Sequence, residues 1–584
     1  MRDTEFKGLP IGAAEIQGAI TELQKYKEGK ANLDNKIIEN EDWWKLQHDR
    51  YYGKKHTPGT RSRSAWLFNS LINKHADAMD NYPEPTVLPR EQSDEQTASI
   101  LSSILPVTLE NCDFEETYSS CWWDKLKSGG AVYAVLWDKR MLNGLGDISI
   151  KQIELLNFYW EPGIQDLQDS RNIFYITLED NSTLEATYPQ LKGKLNGNGI
   201  DVRQYNYDDT VDITDKSAVI DWYYKVNYGN GDVLHYVQFV NDTILYSSEN
   251  EEYAHRMEEG YQSKGYYWHG KYPFVMDVLY EEKGTPMGFG YIDVMKNPQT
   301  DIDSLGSAIL DNAKWSAKPR WFIKDSASIN VNDYQDSDKQ FVPVAGSVDD
   351  NNLKQITVQP LSGNYVAIWQ AKVDELKETS GNRDFSQGST ASGVTSGAAI
   401  TALQEAGSKG SRDIIKGSYR AFTNIIKLVI ELYRQFYDNP RTFRIIGANG
   451  AQQFVEFDNT ALHSEIQQEY GIEFKSREPV FDVKIKAQRA NPYSRLAQNE
   501  LALQFYQLGF FNPQMADQAL ACIEMMDFEG KDKVKSNIER NGGMFNQLQQ
   551  MQQALNHTAN ALAMKTGDTR VMEAINGNGN IQQG

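Results

Sequence analysis

The sequence predicts an α+β subunit, and three observations on the spacing of its apolar residues lead to that class. Between Gly284 and Asp438 apolar residues recur at helical intervals. Between Gly129 and Val240 short runs of β-branched and aromatic residues are bounded by glycine and aspartate, which is typical of strands. From Asn491 the helical intervals return. Because the chain has 584 residues, we expect these parts to form more than one domain.

The first 130 residues are predicted to be mainly helical. A helix from Trp66 to Met79 is followed by three prolines between Tyr82 and Pro89, which end it in an extended segment. The loop before this helix holds four cations, which are either solvated or in contact with nucleic acid. These cations are Lys54, Lys55, Arg61 and Arg63.

The middle of the chain is predicted to contain two β-rich parts. One includes a hairpin around Asn227-Tyr-Gly-Asn-Gly-Asp232, because an Asn-Gly pair suits a tight turn. A second Asn-Gly hairpin is expected between Phe443 and Phe457. The predicted strands of the first part are 131–137, 147–153, 174–178, 218–226 and 233–240.

Two helices in the centre each carry one apolar stripe. The first opens after Gly290 and ends near Lys318-Pro319, and the second ends at Gly381. Two such helices cannot form a globule alone, and our hypothesis is that they bury these stripes only against identical copies. The stripes are Ile292, Met295, Ile302, Leu305 and Ile309 in the first helix and Val366, Trp369, Val373 and Leu376 in the second.

A polar segment and a long amphipathic helix follow. Residues 382–397 are rich in glycine, hydroxyl and amide side chains, which favour a flexible loop. The helix after it carries apolar residues at alternating steps of four and three, so we expect it to be buried along one seam. That seam is Ile415, Tyr419, Phe422, Ile426, Val429, Tyr433 and Phe436.

Composition excludes several classes of protein. The formal net charge is −21, so the chain is not an obvious DNA binder, although an acidic wall would let DNA slide past without being gripped. The simpler interpretation is that the charge keeps the protein in solution. Three cysteines are too few for a disulfide framework. We expect no secretory signal and no membrane span, and therefore a protein made inside a cell.

Catalytic and metal-binding motifs are weak or missing in the sequence. The histidines are scattered, and His75, on an amphipathic helix with Asp77 and Asp80, is better explained as a structural residue than as a ligand. Gly144-Leu-Gly146 lacks the third glycine of a dinucleotide loop, and no phosphate loop is present. We expect no enzyme activity and no cofactor. Adjacent Glu281 and Glu282, with many aromatic residues, leave open a polysaccharide-active or glycan-binding protein.

The order of these segments resembles the portal, or head-to-tail connector, proteins of tailed double-stranded-DNA bacteriophages. The similarity rests on motifs spread over most of the chain. They are Gly288-Phe-Gly290, Gln299 with Asp301-Ile-Asp303, Lys318-Pro319, and Ser392-Gly-Val-Thr-Ser-Gly-Ala-Ala-Ile400 running into Leu403-Gln-Glu-Ala406.

The resemblance implies a portal-type subunit with named parts. An N-terminal α/β wing covers 1–283, the first stem helix 284–320, the clip 321–361, the second stem helix 362–381 and the tunnel loop 382–397. A long wing helix covers 398–438, a wing β segment 439–490, a helical crown 491–542, and a C-terminal helix with a Gln/Asn/Gly-rich tail 543–584. Because the clip is small, we predict that it completes its β-sheet with the neighbouring copy.

The same resemblance implies a function and partners. The chain would form a ring of twelve copies at one capsid vertex of the virion, after assembly in the cytoplasm of the bacterial host. Its partners would be double-stranded DNA in the channel, terminase, capsid or scaffold protein, and later head-completion or tail adaptor proteins. Another ring-forming virion adaptor is the alternative, although adaptors are usually shorter.

Three groups of candidate site residues follow from this assignment. The tunnel loop would contact DNA loosely through polar groups and Arg383. Candidate channel-facing charges lie on the two stem helices, and an acidic surface on the clip would dock terminase. The groups are Asn382, Arg383, Asp384, Ser386, Gln387, Ser389, Thr390, Ser392 and Thr395 in the loop; Asp293, Lys296, Asp303, Asp311, Lys314, Lys372, Glu375 and Glu378 on the stem; and Asp333, Asp336, Asp338, Lys339, Asp349 and Asp350 on the clip.

Overall fold

The computed structural model of the chain contains two units, each built from two separate parts of the sequence. The first unit is Met1–Arg441 with Glu456–Ala487, and the second is Thr442–Val455 with Gln488–Gly584. The structure describes residues 11–51, 63–195, 202–207, 214–227, 231–253, 263–317, 320–323, 353–356, 359–381, 409–446, 452–463, 465–469, 472–477, 479–489, 502–510, 512–524 and 531–566.

Helices form both ends and the centre of the described chain, as the periodicity predicts. None of the described helices is both long and apolar enough to span a bilayer. The helices are α1 (Ala13–Trp44), α2 (Trp66–Met79), α3 (Glu95–Asn111), α4 (Phe114–Ser128), α5 (Asn181–Thr187), α6 (Ser248–Tyr253), α7 (Tyr291–Ala317), α8 (Gly363–Ser380), α9 (Lys409–Phe436), α10 (Ala516–Glu524) and α11 (Lys531–Thr566).

The strands lie mainly between α4 and α7. The predicted hairpin is confirmed: β6 pairs antiparallel with β7, and Asn227 lies opposite Asp232. The strands are β1 (Asn81–Pro89), β2 (Gly130–Asp138), β3 (Asp147–Ile153), β4 (Phe158–Trp160), β5 (Asn172–Asp180), β6 (Lys216–Asn227), β7 (Asp232–Val240), β8 (Thr243–Ser247), β9 (Phe274–Val278), β10 (Tyr280–Glu281), β11 (Gly288–Phe289), β12 (Arg320–Ile323), β13 (Leu353–Ile356), β14 (Arg441–Ile446), β15 (Gln452–Phe457), β16 (Glu465–Glu469), β17 (Ile472–Arg477) and β18 (Phe481–Arg489).

Two antiparallel sheets organise the first unit. One has five strands in the order β4-β5-β6-β7-β8, and the other has the order β3-β2-β9. Strand β2 has an apolar run buried over most of its length, with all of residues 130–135 buried. Strand β1 pairs with β18, which follows it by almost 400 residues, while β12-β13 and β16-β17 form separate two-stranded sheets.

Helix α1 covers the five-stranded sheet. Its residues Ile16, Leu23 and Tyr26 are fully buried and pack with Phe174 and Val237 of the sheet. These residues recur at about 3.6-residue spacing on α1 and alternate along the strands, so each element presents one apolar face. This contact joins α1 to the five-stranded sheet.

The long helix α9 is buried in the same unit. Phe422 packs at 5.5 Å from Phe114 of α4, and the Tyr433 hydroxyl lies 2.6 Å from that of Thr108 on α3. The expected seam is present, but Ile425, Leu428, Ile430 and Leu432 are buried as well. The helix is therefore enclosed on more than one side.

The second unit contains a small helical core. Ala516, Ala519 and Ile523 of α10 pack with Ile538 of α11. We expected the helical crown to end at 542 and a separate C-terminal helix to follow from 543, but α11 runs without interruption through Gly542 and Gly543. Gly542 lies against Ala516, where a Cβ on the glycine would come within 2.8 Å of the alanine side chain. The glycine thus permits close packing here.

Candidate functional site

The candidate site is the pair of helices α7 and α8 and the elements that hold them. Ile292, Met295 and Ile302 of α7 and Val373 and Leu376 of α8 are each at most 2% exposed. They are covered by α1, α2 and α4 of the same chain. The hypothesis that the stripes are buried only against identical copies is therefore wrong for this half of the pair.

The other half of the pair exposes apolar side chains. They lie toward the C-terminus of α7 and the N-terminus of α8, where the two helices approach the segment between them. In this half Asn312 accepts a hydrogen bond from the backbone N–H of Leu361 at 3.2 Å and donates to the Gln359 carbonyl at 3.1 Å. The exposed residues are Leu310, Trp315, Tyr365, Val366 and Ile368, each between 42 and 54% exposed.

Asp303 is the centre of a buried polar network. Its carboxylate lies 3.0 Å from Nε2 of His48 and accepts hydrogen bonds from the backbone and hydroxyl of Ser64 at 2.9 and 2.8 Å. Gln299, one turn earlier, donates to the same carboxylate at 3.0 Å and accepts from the backbone N–H of Leu67. Asp303 is 2% exposed, which corrects its assignment as a channel-facing charge.

Two more of the candidate stem charges bind α1. Asp293 lies 3.0 Å from the Lys36 ammonium and also accepts the backbone N–H of Gly290. Lys296 donates to Glu39 at 2.8 Å. The side chains of Asp293 and Lys296 are only 15 and 18% exposed. Both residues thus connect α7 to α1 within the chain.

The remaining stem charges are at the surface of the pair. Lys314 lies 3.5 Å from Asp311 on α7. Lys372 of α8 bridges Asp301 at 3.3 Å and Glu375 at 2.9 Å. Glu378 is exposed on the same helix. These five candidates, Asp311, Lys314, Lys372, Glu375 and Glu378, keep a position from which they can face a channel.

A buried ion pair attaches α9, and the sequence analysis missed it. Lys125 of α4 donates to Asp277 of β9 at 2.6 Å and to Ser418 of α9, whose hydroxyl also donates to Asp277 at 2.9 Å. All three are at most 3% exposed. Burial lowers the pKa of Lys125, and the Asp277 carboxylate opposes that effect. In the sequence, the signal for it was that Lys125 falls at helical spacing from Phe114, Tyr118 and Trp122.

The residues considered for chemistry have structural environments. His75 stacks on Trp123 at 4.0 Å and its Nε2 lies 3.0 Å from the Ser119 hydroxyl, while burial lowers its pKa. The structural interpretation of His75 is confirmed. Glu281 and Glu282 are both exposed. Among the described residues no group of three or more His, Cys, Asp or Glu side chains could hold a metal ion.

Several predicted sites lie outside the described residues. These are the whole tunnel loop from Asn382 to Gly397, the clip residues from Asp333 to Asp350, and Lys54, Lys55 and Arg61. The fourth cation of that basic loop, Arg63, is described and lies 2.7 Å from Asp49. Within the segment predicted as the clip, β12 pairs antiparallel with β13.

Comparison with known proteins agrees with this arrangement of elements. Among curated proteins none matches the chain. The family model of the phage P22-like portal protein matches residues 75–576, which is most of the sequence and includes α7, α8 and the long helix α9. The chain therefore belongs to the phage P22-like portal protein family, whose members are structural components of the phage virion.

Proposed function

We propose that identical copies of this chain form a ring around a channel for double-stranded DNA at one capsid vertex. Twelve copies would serve genome packaging, retention and ejection. The ring would dock terminase during packaging, and head-completion and tail proteins afterwards. Capsid or scaffold protein would contact the wing. The family match over residues 75–576 is the observation that carries this proposal.

The helices α7 and α8 support the proposal as the stem of the subunit. Their buried half is fixed to the wing by Asp303, Asp293 and Lys296, so the exposed half has a defined direction. That half presents Trp315, Val366 and other apolar side chains to solvent. Several large apolar side chains exposed in one part of a structure indicate an interaction site. We assign this surface to contacts with neighbouring copies. A head-to-tail contact that repeats between identical copies forms a ring when the successive rotations add up to a full turn.

Helix α11 offers a second surface for copies of the chain. Five apolar residues on it are between 49 and 72% exposed and follow the steps of a coiled-coil seam. Between Asn541 and Met564 the helix has no Asp, Glu, Lys or Arg, so parallel copies would bring no like charges together. The seam residues are Met544, Leu548, Met551, Leu555 and Leu562.

The channel wall is proposed to be mixed in charge at the stem. Lys314 and Lys372 would be set beside Asp311, Glu375 and Glu378. Paired charges of this kind give DNA no uniform cationic face to bind. DNA would therefore slide along the wall.

The tunnel loop is the proposed DNA contact. Its hydroxyl and amide groups, with Arg383, would touch the DNA backbone without reading its sequence. Deleting Ser386–Thr395 is expected to leave rings intact and to reduce packaged DNA, measured as the fraction of full heads. A deletion variant that packages a normal genome load would contradict this role.

The clip is proposed to complete its sheet between subunits. Within the chain β12 pairs with β13, and a two-stranded sheet is only marginally stable by itself. A strand from the neighbouring copy would extend it, and the acidic residues between Asp333 and Asp350 would then form the terminase-docking surface. A structure of the assembled ring would test this pairing of strands between copies. A clip without strand contacts to its neighbour would contradict it.

Imaging of the purified full-length chain by negative stain tests the ring directly. We expect ring-shaped particles with a central hole. Replacing Val366 and Ile368 together by aspartate should abolish them, because the charges would have to be buried between copies. Val480→Asp, at an apolar residue that is 47% exposed and lies outside this pair of helices, is the control and should leave the rings unchanged. A wild-type chain that remains monomeric at all concentrations would refute the proposal.

A further inference from the structure

The loop between β2 and β3 presents two leucines to solvent on an unusual backbone. Leu142 and Leu145 are 56 and 46% exposed. Leu142 and Asn143 have φ angles of 51° and 58°, in the left-handed region that leucine rarely adopts. The motif Gly144-Leu-Gly146, which makes no dinucleotide loop, is thus part of a turn that holds two leucines outward. We call residues 139–146 the leucine loop.

Hydrogen bonds from its own backbone and from Arg441 fix the conformation of the leucine loop. The Met141 carbonyl accepts the N–H groups of Gly144 and Gly146 at 3.1 and 3.0 Å. Arg441 donates to the carbonyls of Gly146 at 2.9 Å and Leu145 at 3.4 Å. Backbone strain persists when the surroundings impose it, and such strain is concentrated at functional sites. The loop therefore presents its leucines in a preformed arrangement.

A cavity of about 330 Å³ lies near the start of β2, whereas the leucine loop follows the end of that strand. It opens between the middle of α1, the turn after β4 and residues 282–288. Met287, which lines it, also touches Gly130, where a Cβ would come within 2.7 Å of the methionine sulfur. The cavity thus lies at the first residue of β2. Its apolar lining is Tyr26, Leu33, Trp160, Pro162 and Met287.

The leucine loop and the cavity are well separated within one chain. Strand β2 runs from Gly130, beside the cavity, to Asp138, where the leucine loop begins. At about 3.3 Å per residue its ends are roughly 26 Å apart. The two surfaces therefore cannot meet within one protomer, but they can connect successive copies.

Charge at the two surfaces is complementary. Two lysines line the cavity, but Lys30 lies 2.8 Å from Asp34 and Lys36 lies 3.0 Å from Asp293, so both are neutralised within the chain. The remaining charged residue of the lining is Glu282, which is exposed and forms no ion pair among the described residues.

The leucine loop carries the opposite sign beside its apolar tip. Lys139 and Arg140 are both exposed and directly precede the turn. We propose that the leucine loop of one copy inserts Leu142 and Leu145 into the cavity of the next copy, with its cations beside Glu282. This inference rests on the proposed ring, since a contact between two different surfaces repeats head to tail.

A cysteine pair across the contact tests the inference on the assembled full-length chain. Leu142→Cys is combined with Thr285→Cys, at a half-buried residue that lines the cavity. Oxidation is expected to link copies into a ladder of covalent oligomers on a denaturing gel. Each single variant should give no ladder, which also controls for the native Cys112, Cys121 and Cys522.

Leu142→Asn separates folding from assembly. Asparagine accepts the left-handed backbone, so the midpoint of thermal unfolding should stay within a few degrees of wild type. Loss of the apolar side chain should raise the concentration needed for assembly at least about tenfold. Tyr207→Asn is the control, because Tyr207 is 53% exposed and thus similar to Leu142 in exposure. This variant should assemble as wild type does.

The possible outcomes distinguish this contact from the ring itself. Rings that give no ladder, or rings of Leu142→Asn that form at the wild-type concentration, would overturn the inference and leave the proposed function standing. A wild-type chain that never forms rings would refute the proposed function, and the contact with it.

Discussion

At the scale of single residues, buried charges control how the long helix is attached. Lys125, Asp277 and Ser418 connect three elements that are distant in sequence. In a low-dielectric interior such a group is stable only while its partners remain. We therefore expect the network to specify one position of α9 against α4 and β9.

Removing the ammonium alone should be costly. Lys125→Met leaves the Asp277 carboxylate buried without its cation, and we expect a loss of about 3–5 kcal/mol in the free energy of unfolding. The double variant Lys125→Met with Asp277→Leu should recover a large part of that loss. Urea unfolding followed by tryptophan fluorescence measures both. A single variant as stable as wild type would show that the pair does not hold the helix.

Asp221 should make stability depend on pH. Burial raises the pKa of this carboxyl to about 6, although Tyr236 and Gln238 donate to its Oδ1 at 2.7 and 2.9 Å. Because the folded-state pKa exceeds the unfolded value, ionisation destabilises the fold above about pH 6, and the effect fades as pH falls toward about 4. An asparagine side chain at this position could accept both hydrogen bonds without a charge.

The substitution Asp221→Asn therefore tests this linkage. At about pH 7.5 the variant should be more stable by about 1–3 kcal/mol, and the difference should shrink as the pH is lowered from about 6 to about 4. Thermal unfolding across that range provides the measurement. A difference that stays constant with pH would mean that the carboxyl ionises in the fold as easily as in water.

At the scale of elements, α7 changes role along its length. Its first half belongs to the core of the wing, and its second half projects apolar residues outward. The helix continues through Pro298, which removes one intrahelical hydrogen bond at the point where the polar network begins. Gln299 and Asp303, which follow the proline, bind Ser64 and the first turn of α2.

Two aspartates of one motif offer a matched test. Asp303→Ala should destabilise the fold by about 1–3 kcal/mol, because buried donors lose their acceptor. Asp301→Ala removes only a bridge to Lys372 from a side chain that is 53% exposed, and should cost less than about 1 kcal/mol. Hydrogen exchange should show faster opening of residues 48–51 and 63–67 in the first variant alone. Equal effects of the two substitutions would contradict the role of the network.

At the scale of the whole molecule, net charge opposes assembly. Each copy carries −21, so bringing copies together costs electrostatic free energy that the apolar contacts must exceed. This repulsion acts over the Debye length, which salt shortens. The acidic composition is thus compatible with the proposed ring if apolar surfaces such as those on α7, α8 and α11 outweigh this repulsion.

Salt should therefore favour the ring. Raising the salt concentration from about 0.05 M to about 0.5 M should increase the assembled fraction, since it screens repulsion and leaves apolar burial intact. Size-exclusion chromatography at one fixed protein concentration measures that fraction. If rings dissociate as salt rises, ion pairs between copies dominate the interface instead.

The α+β class and most elements of the first unit follow from local periodicity. Helical spacing in α7 and α8 predicted helices, and runs of β-branched and aromatic residues in β2 and β6 predicted strands, because these patterns are local in the sequence. The order of segments also sufficed to indicate the portal family, which the match over residues 75–576 confirms. The seam of α9 was visible for the same local reason.

Periodicity does not show which element covers an apolar face. Only the tertiary structure decided which apolar faces of this chain are buried. Ile292 and Leu376 looked free for a neighbouring copy, yet α1, α2 and α4 bury them within the chain. Asp303 looked like a solvated charge, yet its partners His48 and Ser64 lie about 240 residues away or more. The pairing of β1 with β18 is equally distant. Local sequence determined which residues share a face, whereas contacts between remote segments determined which faces remain exposed for other copies.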